Sequence, residues 1–144
     1  MFSKTCEYAL RAMIYVGQKS KDGAKVGIKE IAEGTDSPEY FIAKVLQGLT
    51  RKDLIRSQKG PSGGFYLDEK RMNCTLADIV IAIDGDEVFK KCGLGLKECS
   101  EKMPCPIHHD FKKIKTALLN MLQSTRLDEL NEQLEKKIFF LKRT

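Results

Sequence analysis

The sequence predicts a mainly α chain carrying one small β-hairpin. Three observations predict it. Apolar residues recur at steps of three and four along most of the 144 residues. The segment 54–68 breaks that rhythm with two short apolar pieces around a glycine-rich tip. Hydrophobic content of 42% and charged content of 31% describe an ordinary soluble composition, and no run approaches the roughly 20 apolar residues of a membrane helix.

The elements follow in order. Residues 4–19 place Tyr8, Ala9, Ala12, Met13, Tyr15 and Val16 at helical steps, with Ser3 or Thr5 as cap and Glu7 in the first turn. Ser20-Lys-Asp-Gly23 stops the pattern. A short helix is expected over 28–34, with Gly34 as its C-cap. Ser37 then suits an N-cap and Pro38 a first helical position, opening a helix over 38–52 with Phe41, Val45, Leu46 and Leu49 inward. Two helices joined by a tight turn have the helix-turn-helix layout. Leu54-Ile-Arg-Ser57 and Gly64-Phe-Tyr-Leu67 flank Gln58-Lys-Gly-Pro-Ser-Gly63 as a hairpin. A helix-turn-helix followed by such a hairpin is a winged helix.

Thr75 caps a helix over 75–84 with Asp78 at its third position and Leu76, Ile79, Val80 and Ile83 inward. A loop follows over 86–109. A long amphipathic helix over 107–123 carries Phe111, Ile114, Leu118, Met121 and Leu122. Ser124-Thr125 and Asp128 start a last helix bearing Leu127, Leu130, Leu134 and Ile138. A small winged helix cannot easily cover the long helix, so a homodimer with two such helices crossing is expected. The chain is expected to divide into a winged helix-turn-helix part, 1–72, and a part with the 86–109 loop and the dimerisation helices, 73–144.

The loop holds the main chemical signal. Cys92, Cys99 and Cys105 stand with His108 and His109 inside eighteen residues, among Gly93, Gly95, Pro104 and Pro106. A supple loop can wrap thiolates around a soft metal centre, and thiolates select iron–sulfur clusters, zinc or copper(I). The gaps of six and five residues are wider than a zinc knuckle. Three thiolates leave one ligand missing, and His108, three residues after Cys105, is the local candidate. Free surface cysteines in a mobile loop are the bland alternative. Cys6 and Cys74 fall on expected helices beside apolar residues and suit burial.

The 38–52 helix offers Ser37, Pro38, Glu39, Tyr40, Ala43, Lys44 and Gln47 outward, and a helix fits the DNA major groove. The hairpin tip adds Lys59, Ser62 and Gly63, with Arg51, Lys52 and Arg56 nearby for phosphate. A net charge of +5 suits an anionic partner without proving one. The alternative is a solvated helix face and an ordinary hairpin. No nucleophile motif, phosphate loop or paired carboxylates appear, so an enzyme is not expected. The amino terminus has no signal-peptide pattern, and five cysteines without a disulfide framework fit a cytoplasmic protein.

These residues resemble the Rrf-two family of bacterial winged helix-turn-helix transcription regulators, of the IscR/NsrR-like, cluster-bearing type. The likeness covers nearly the whole chain. Tyr8-Ala-Leu-Arg-Ala-Met13, Ile28-Lys-Glu-Ile-Ala32 and Tyr40-Phe-Ile-Ala-Lys-Val-Leu46 resemble its first three helices, and Lys59-Gly-Pro-Ser-Gly-Gly-Phe-Tyr-Leu67 its R-G-x-x-G-G-Y-x-L wing. The resemblance implies DNA reading by Ser37, Glu39, Ala43 and Lys44, with Lys59 where the family sends a wing arginine into the minor groove. Lysine keeps the charge and loses the planar fork. It implies cluster ligation by Cys92, Cys99 and Cys105, with His108 as fourth ligand or Glu7 from the partner subunit instead. The first gap is one residue longer than the family's usual five.

The expected function is a homodimeric regulator that binds double-stranded DNA at a palindromic operator under control of an iron–sulfur cluster (2Fe–2S in preference to 4Fe–4S) sensing redox, nitric oxide or iron–sulfur status. The alternative is a cluster-free regulator of the same fold that responds to thiol oxidation, zinc or a protein partner. A small redox protein is the third reading.

Overall fold

The computed structural model describes residues 1–143. Its elements are α1 (Lys4–Ser20), α2 (Ile28–Gly34), α3 (Glu39–Arg51), β1 (Arg56–Gln58), β2 (Gly64–Tyr66), α4 (Glu69–Met72), α5 (Leu76–Asp84), α6 (Glu87–Lys90), α7 (His108–Ser124) and α8 (Leu127–Glu135). The mainly helical winged-helix reading holds. The Ser3 hydroxyl caps α1 through the Cys6 N–H at 3.0 Å. Thr75 and Asp78 close a reciprocal capping box on α5.

Strands β1 and β2 pair antiparallel, with Ser57 opposite Phe65. Val26 joins the edge of β2, exchanging backbone hydrogen bonds with Phe65 at 3.0 and 2.7 Å. Gly64 makes that approach possible. A Cβ there would lie 2.8 Å from the Val26 carbonyl oxygen, at a φ of 146°.

Two cores organise the chain. The larger gathers Ala9, Met13 and Val16 of α1, Ile31 of α2, Ile42, Leu46 and Leu49 of α3, Ile79 of α5 and Leu127 of α8. Burying each large aliphatic side chain contributes about 1.5–3 kcal/mol. The smaller gathers Cys6, Ala77, Val80 and Leu122, with Val88, Phe89 and Leu118 against it. It docks α7 on α5, and so joins the cysteine loop to the helix-turn-helix part. Helix α8 returns to pack on α1. Its start is sewn to that of α5 by the Leu127 N–H to the Cys74 carbonyl at 3.1 Å and the Leu76 N–H to the Thr125 carbonyl at 3.0 Å.

Several local expectations are corrected. Gly34 is the last residue of α2, and Thr35 is the cap. A Cβ there would fall 2.2 Å from the Tyr15 ring, so any larger residue would displace that ring. Pro38 is the N-cap of α3, not its first helical residue, and Ser37 does not cap: its hydroxyl donates to the Thr35 carbonyl at 3.1 Å. Phe41 is exposed and stacks on Tyr8 with centroids 5.7 Å apart, while Ile42 takes the buried position. Cys74 lies before α5 rather than on a helix. Thr125 does not cap α8; its hydroxyl donates back to Met121 at 2.8 Å. Helix α8 stops at Glu135, so Ile138 lies beyond it and is exposed. The four-residue helices α4 and α6 lack enough turns to show a period in the sequence.

Candidate functional site

Helix α3 turns Ile42, Val45, Leu46 and Leu49 into the core. The opposite face presents Glu39, Tyr40, Lys44 and Gln47 to solvent, with Ala43 and Ser37 half-buried at its edge. Tyr40 is 65% exposed, and the Lys44 ammonium lies 4.9 Å from its ring centroid. An aromatic residue and a cation thus share one projecting spot. The turn into α3 is held by residues that sequence patterns do not reveal. Arg11 donates to the Thr35 carbonyl at 3.0 Å, and the Thr35 hydroxyl to the Ile31 carbonyl at 2.7 Å.

Lys59 and Ser62 are exposed at the hairpin tip, and Pro38 at the start of α3. Gly63 is half-buried, and a side chain does not fit there: a Cβ would meet the Gln58 carbonyl oxygen at 2.0 Å. A shallow groove lined by Gln47, Thr50, Arg51, Ser57 and Phe65 connects α3 to the hairpin. Helix and wing therefore border one continuous surface.

The cysteine loop is fixed to α7 at several points. Gly93 lies against the Phe111 ring, where a Cβ would come within 2.9 Å. The His108 N–H donates to the Cys105 carbonyl at 3.0 Å, and the Gly95 N–H to the Cys92 carbonyl at 2.9 Å. The N–H groups of Leu94 and Leu96 aim at the Cys92 sulfur and hold its pKa below the usual thiol value. The neighbouring Cys105 thiol and the Gly95 N–H help, and burial opposes. Cys99 Sγ lies 3.4 Å from His108 Nδ1.

Only Cys99 and His108 stand within hydrogen-bonding reach of each other; the Cys105 thiol is a neighbour of Cys92. Among the described residues, no group of three or more His, Cys, Asp or Glu is gathered around a single ion position. His108 is buried, and its Nε2 has no hydrogen-bond partner. Glu101 Oε2 is 3.3 Å from it but out of line for a hydrogen bond. The Glu101 carboxylate is bound by Lys112 instead. That contact, with a smaller contribution from His108, keeps its pKa below the usual carboxylate value. By donor chemistry the set fits a soft metal group: three thiols, one already drawn toward thiolate, and an imidazole with an unpaired buried nitrogen.

Cys6 and Cys74 do not belong to this set. Burial, with a contribution from Asp84 for Cys6 and Asp78 for Cys74, pushes each thiol up to about 12. Glu7 stands apart from the loop of its own chain, in a groove with Leu10, Arg11, Asp36 and Phe140. Lys115, buried on α7, donates to Cys99 Sγ at 3.6 Å. Its signal in the sequence is a charge set into the apolar stripe, four residues after Phe111. No helix of the described residues is long and apolar enough to cross a membrane.

The sequence profile described as "Rrf2: Iron-dependent Transcriptional regulator" matches residues 2–133. An HTH-type transcriptional regulator of Aquifex aeolicus is 32% identical over 141 residues, covering 96% of each chain. The HTH-type transcriptional regulator NsrR of Oceanobacillus iheyensis is 29% identical over 128 residues, covering 88% of this chain and 86% of its own. The structure of CymR, the global cysteine regulator of B. subtilis, superposes with a TM-score of 0.73 at 23% identity, covering 92% of this chain and 96% of its own. That last likeness concerns the fold alone. A match over most of the chain leads to one conclusion: this chain belongs to the Rrf2 family of DNA-binding transcriptional regulators, and the family and relatives it matches are regulators rather than enzymes.

Proposed function

We propose that the chain is a homodimeric, cytoplasmic regulator whose affinity for a palindromic operator depends on an iron–sulfur cluster held by Cys92, Cys99, Cys105 and His108. The observation that carries this reading is the set of three thiols beside a buried imidazole whose Nε2 lacks a hydrogen-bond partner, with Cys99 Sγ 3.4 Å from its Nδ1. Three thiolates and an imidazole would supply the four protein ligands of a two-iron cluster. Such a group would supply one-electron redox chemistry and a reactive inorganic core. Glu7 of a second copy is the rival fourth ligand.

The chain's own residues perform the remaining steps. Ser37, Pro38, Glu39, Tyr40, Ala43 and Lys44 meet base edges and phosphates in the major groove. Lys59, Ser62 and Gly63 bring the wing to the neighbouring backbone. Residues 1–72 form the reading head, and 73–144 carry the loop and the dimer helix. Ile114 and Met121 of α7 are 59% and 51% exposed, which favours a second copy of α7 as their cover. Through α5 and α7, a change in the loop alters the tilt of one reading head against the other. The two heads must match half-sites about 34–36 Å apart, so small changes in tilt become changes in affinity.

The test is anaerobic purification, iron and sulfide analysis, visible absorbance, and operator binding with and without the cluster. Colour, iron and a binding difference are expected. Equal binding in both states would reject the switch.

One observation favours a second reading. Cys99 is exposed and lies beside both His108 and Lys115, an environment that suits a reactive thiol. A cluster-free regulator responding to thiol oxidation would be iron-free under strict anaerobiosis and lose its response in Cys99→Ser.

A further inference from the structure

Lys115 is 7% exposed. An isolated ammonium is costly to bury, and such groups are normally paired. Among the described residues no carboxylate pairs with it; Lys112 takes Glu101 and Lys90 takes Asp86. Its partners are instead the Lys91 carbonyl at 3.0 Å, the Cys99 sulfur at 3.6 Å and the face of Phe111, whose centroid is 5.4 Å away. The carbonyl immediately precedes Cys92. One ammonium therefore joins the start of the loop to its middle cysteine, and ties both to α7. The one partner able to carry negative charge is sulfur.

We infer that Lys115 is a positioning residue for the sulfur ligands: its buried ammonium clamps the Lys91–Cys99 segment onto α7 and supplies the counter-charge for the sulfur set. This rests on the proposal that the loop holds a cluster. Charge and hydrogen bonds at ligand sulfurs set a cluster's potential. Through the same contact, a change at Cys99 acts directly on the helix proposed to hold the dimer.

The test uses Lys115→Met, which removes the charge and both bonds at similar length, and Lys115→Arg, which keeps the charge. In the apo-protein, amide hydrogen exchange over 91–99 is expected to speed by tenfold or more in K115M, with α1 unchanged. In the reconstituted protein, K115M is expected to lower the midpoint potential while K115R stays near the parent. A tenfold shift in the oxidised-to-reduced ratio is about 59 mV for a one-electron couple. If K115M accelerates exchange in α1 as well, Lys115→Gln takes its place in both arms. Unchanged exchange over 91–99 overturns the clamp. A potential unchanged in the uncharged variant overturns the counter-charge. A colourless, iron-free parent sinks the cluster reading instead, and the exchange arm then decides the clamp alone.

Discussion

Arg71 holds Asp53 twice: its Nε donates to the Asp53 carbonyl at 3.0 Å and its Nη2 to Oδ1 at 2.6 Å. The same guanidinium reaches Asp68 Oδ2 through Nη1 at 2.7 Å. Asp53 precedes β1, in the left-handed region at φ 60°. Asp68 follows β2 and caps α4 by accepting from the Arg71 N–H at 3.0 Å. One buried side chain thus binds both feet of the wing. Its planar fork suits that geometry, and a lysine would not reproduce it.

Arg71→Met should therefore destabilise the protein by about 0.5–1.5 kcal/mol, because it removes the hydrogen bonds that tie the two feet of the wing, while water takes up the exposed carboxylates. Lysine should recover only part of this. Urea unfolding of the three proteins is the check; equal midpoints for parent and methionine variant would refute the clamp.

The same pair sets a pH response. The Arg71 hydrogen bond holds the Asp53 carboxyl below its usual value. Burial raises that of Asp68, but the bonds to Arg71 outweigh it and the net shift is also downward. With a folded-state pKa below the unfolded value of about 4, their contribution is complete above that pH and is lost as pH falls through the folded-state pKa. Parent and R71M stabilities should converge on acidification below about pH 4. A gap that stays constant to pH 2 would contradict this.

Gly34→Ala should cost about 1–3 kcal/mol, since its Cβ would meet the Tyr15 ring at 2.2 Å. Pairing it with Tyr15→Leu should restore part of the loss. Thermal unfolding of the single and double variants measures this, and strict additivity would exclude a direct clash.

Lys59→Ala should weaken operator binding nearly uniformly across sequences and reduce the salt slope by about one. Lys44→Ala should also alter base preference, because Lys44 lies over Tyr40 on the outer face of α3. Titrations at several salt concentrations on matched and mismatched operators separate the two. A K59A slope equal to the parent's would remove the wing from the interface.

Iodoacetamide should modify Cys99 first in the native apo-protein, since it is the exposed thiol. Cys6 and Cys74 should react only after unfolding, being buried with thiols pushed up to about 12. Mass spectrometry of timed samples reads the order, and early labelling of Cys6 would contradict the placement of α1 against α5.

Much of the fold is legible in the chain because it depends on neighbours. Breakers at Gly23 and Gly60, the Thr75 and Asp78 box, and helical periodicity in α1 and α5 act over a few residues, so order and type of the elements follow from them. The three cysteines and His108 stand close together in the chain, on one loop and the first residue of α7, so the sequence alone groups them.

Pairing is another matter. Periodicity says which residues share a face, not what covers it, so Phe41 and Ile42 exchanged roles once α1 lay against α3. Gly34 reads as a helix stop until Tyr15, nineteen residues earlier, is seen to need its space. Arg71 and Lys115 look like solvated surface charges. Only folding brings Asp53 and Asp68 to the first, and Cys99 and the Lys91 carbonyl to the second. Local torsional preference and capping settle what each segment becomes. Long-range packing settles which buried charge meets which partner, because the cost of burial is decided by atoms that the linear order keeps far apart.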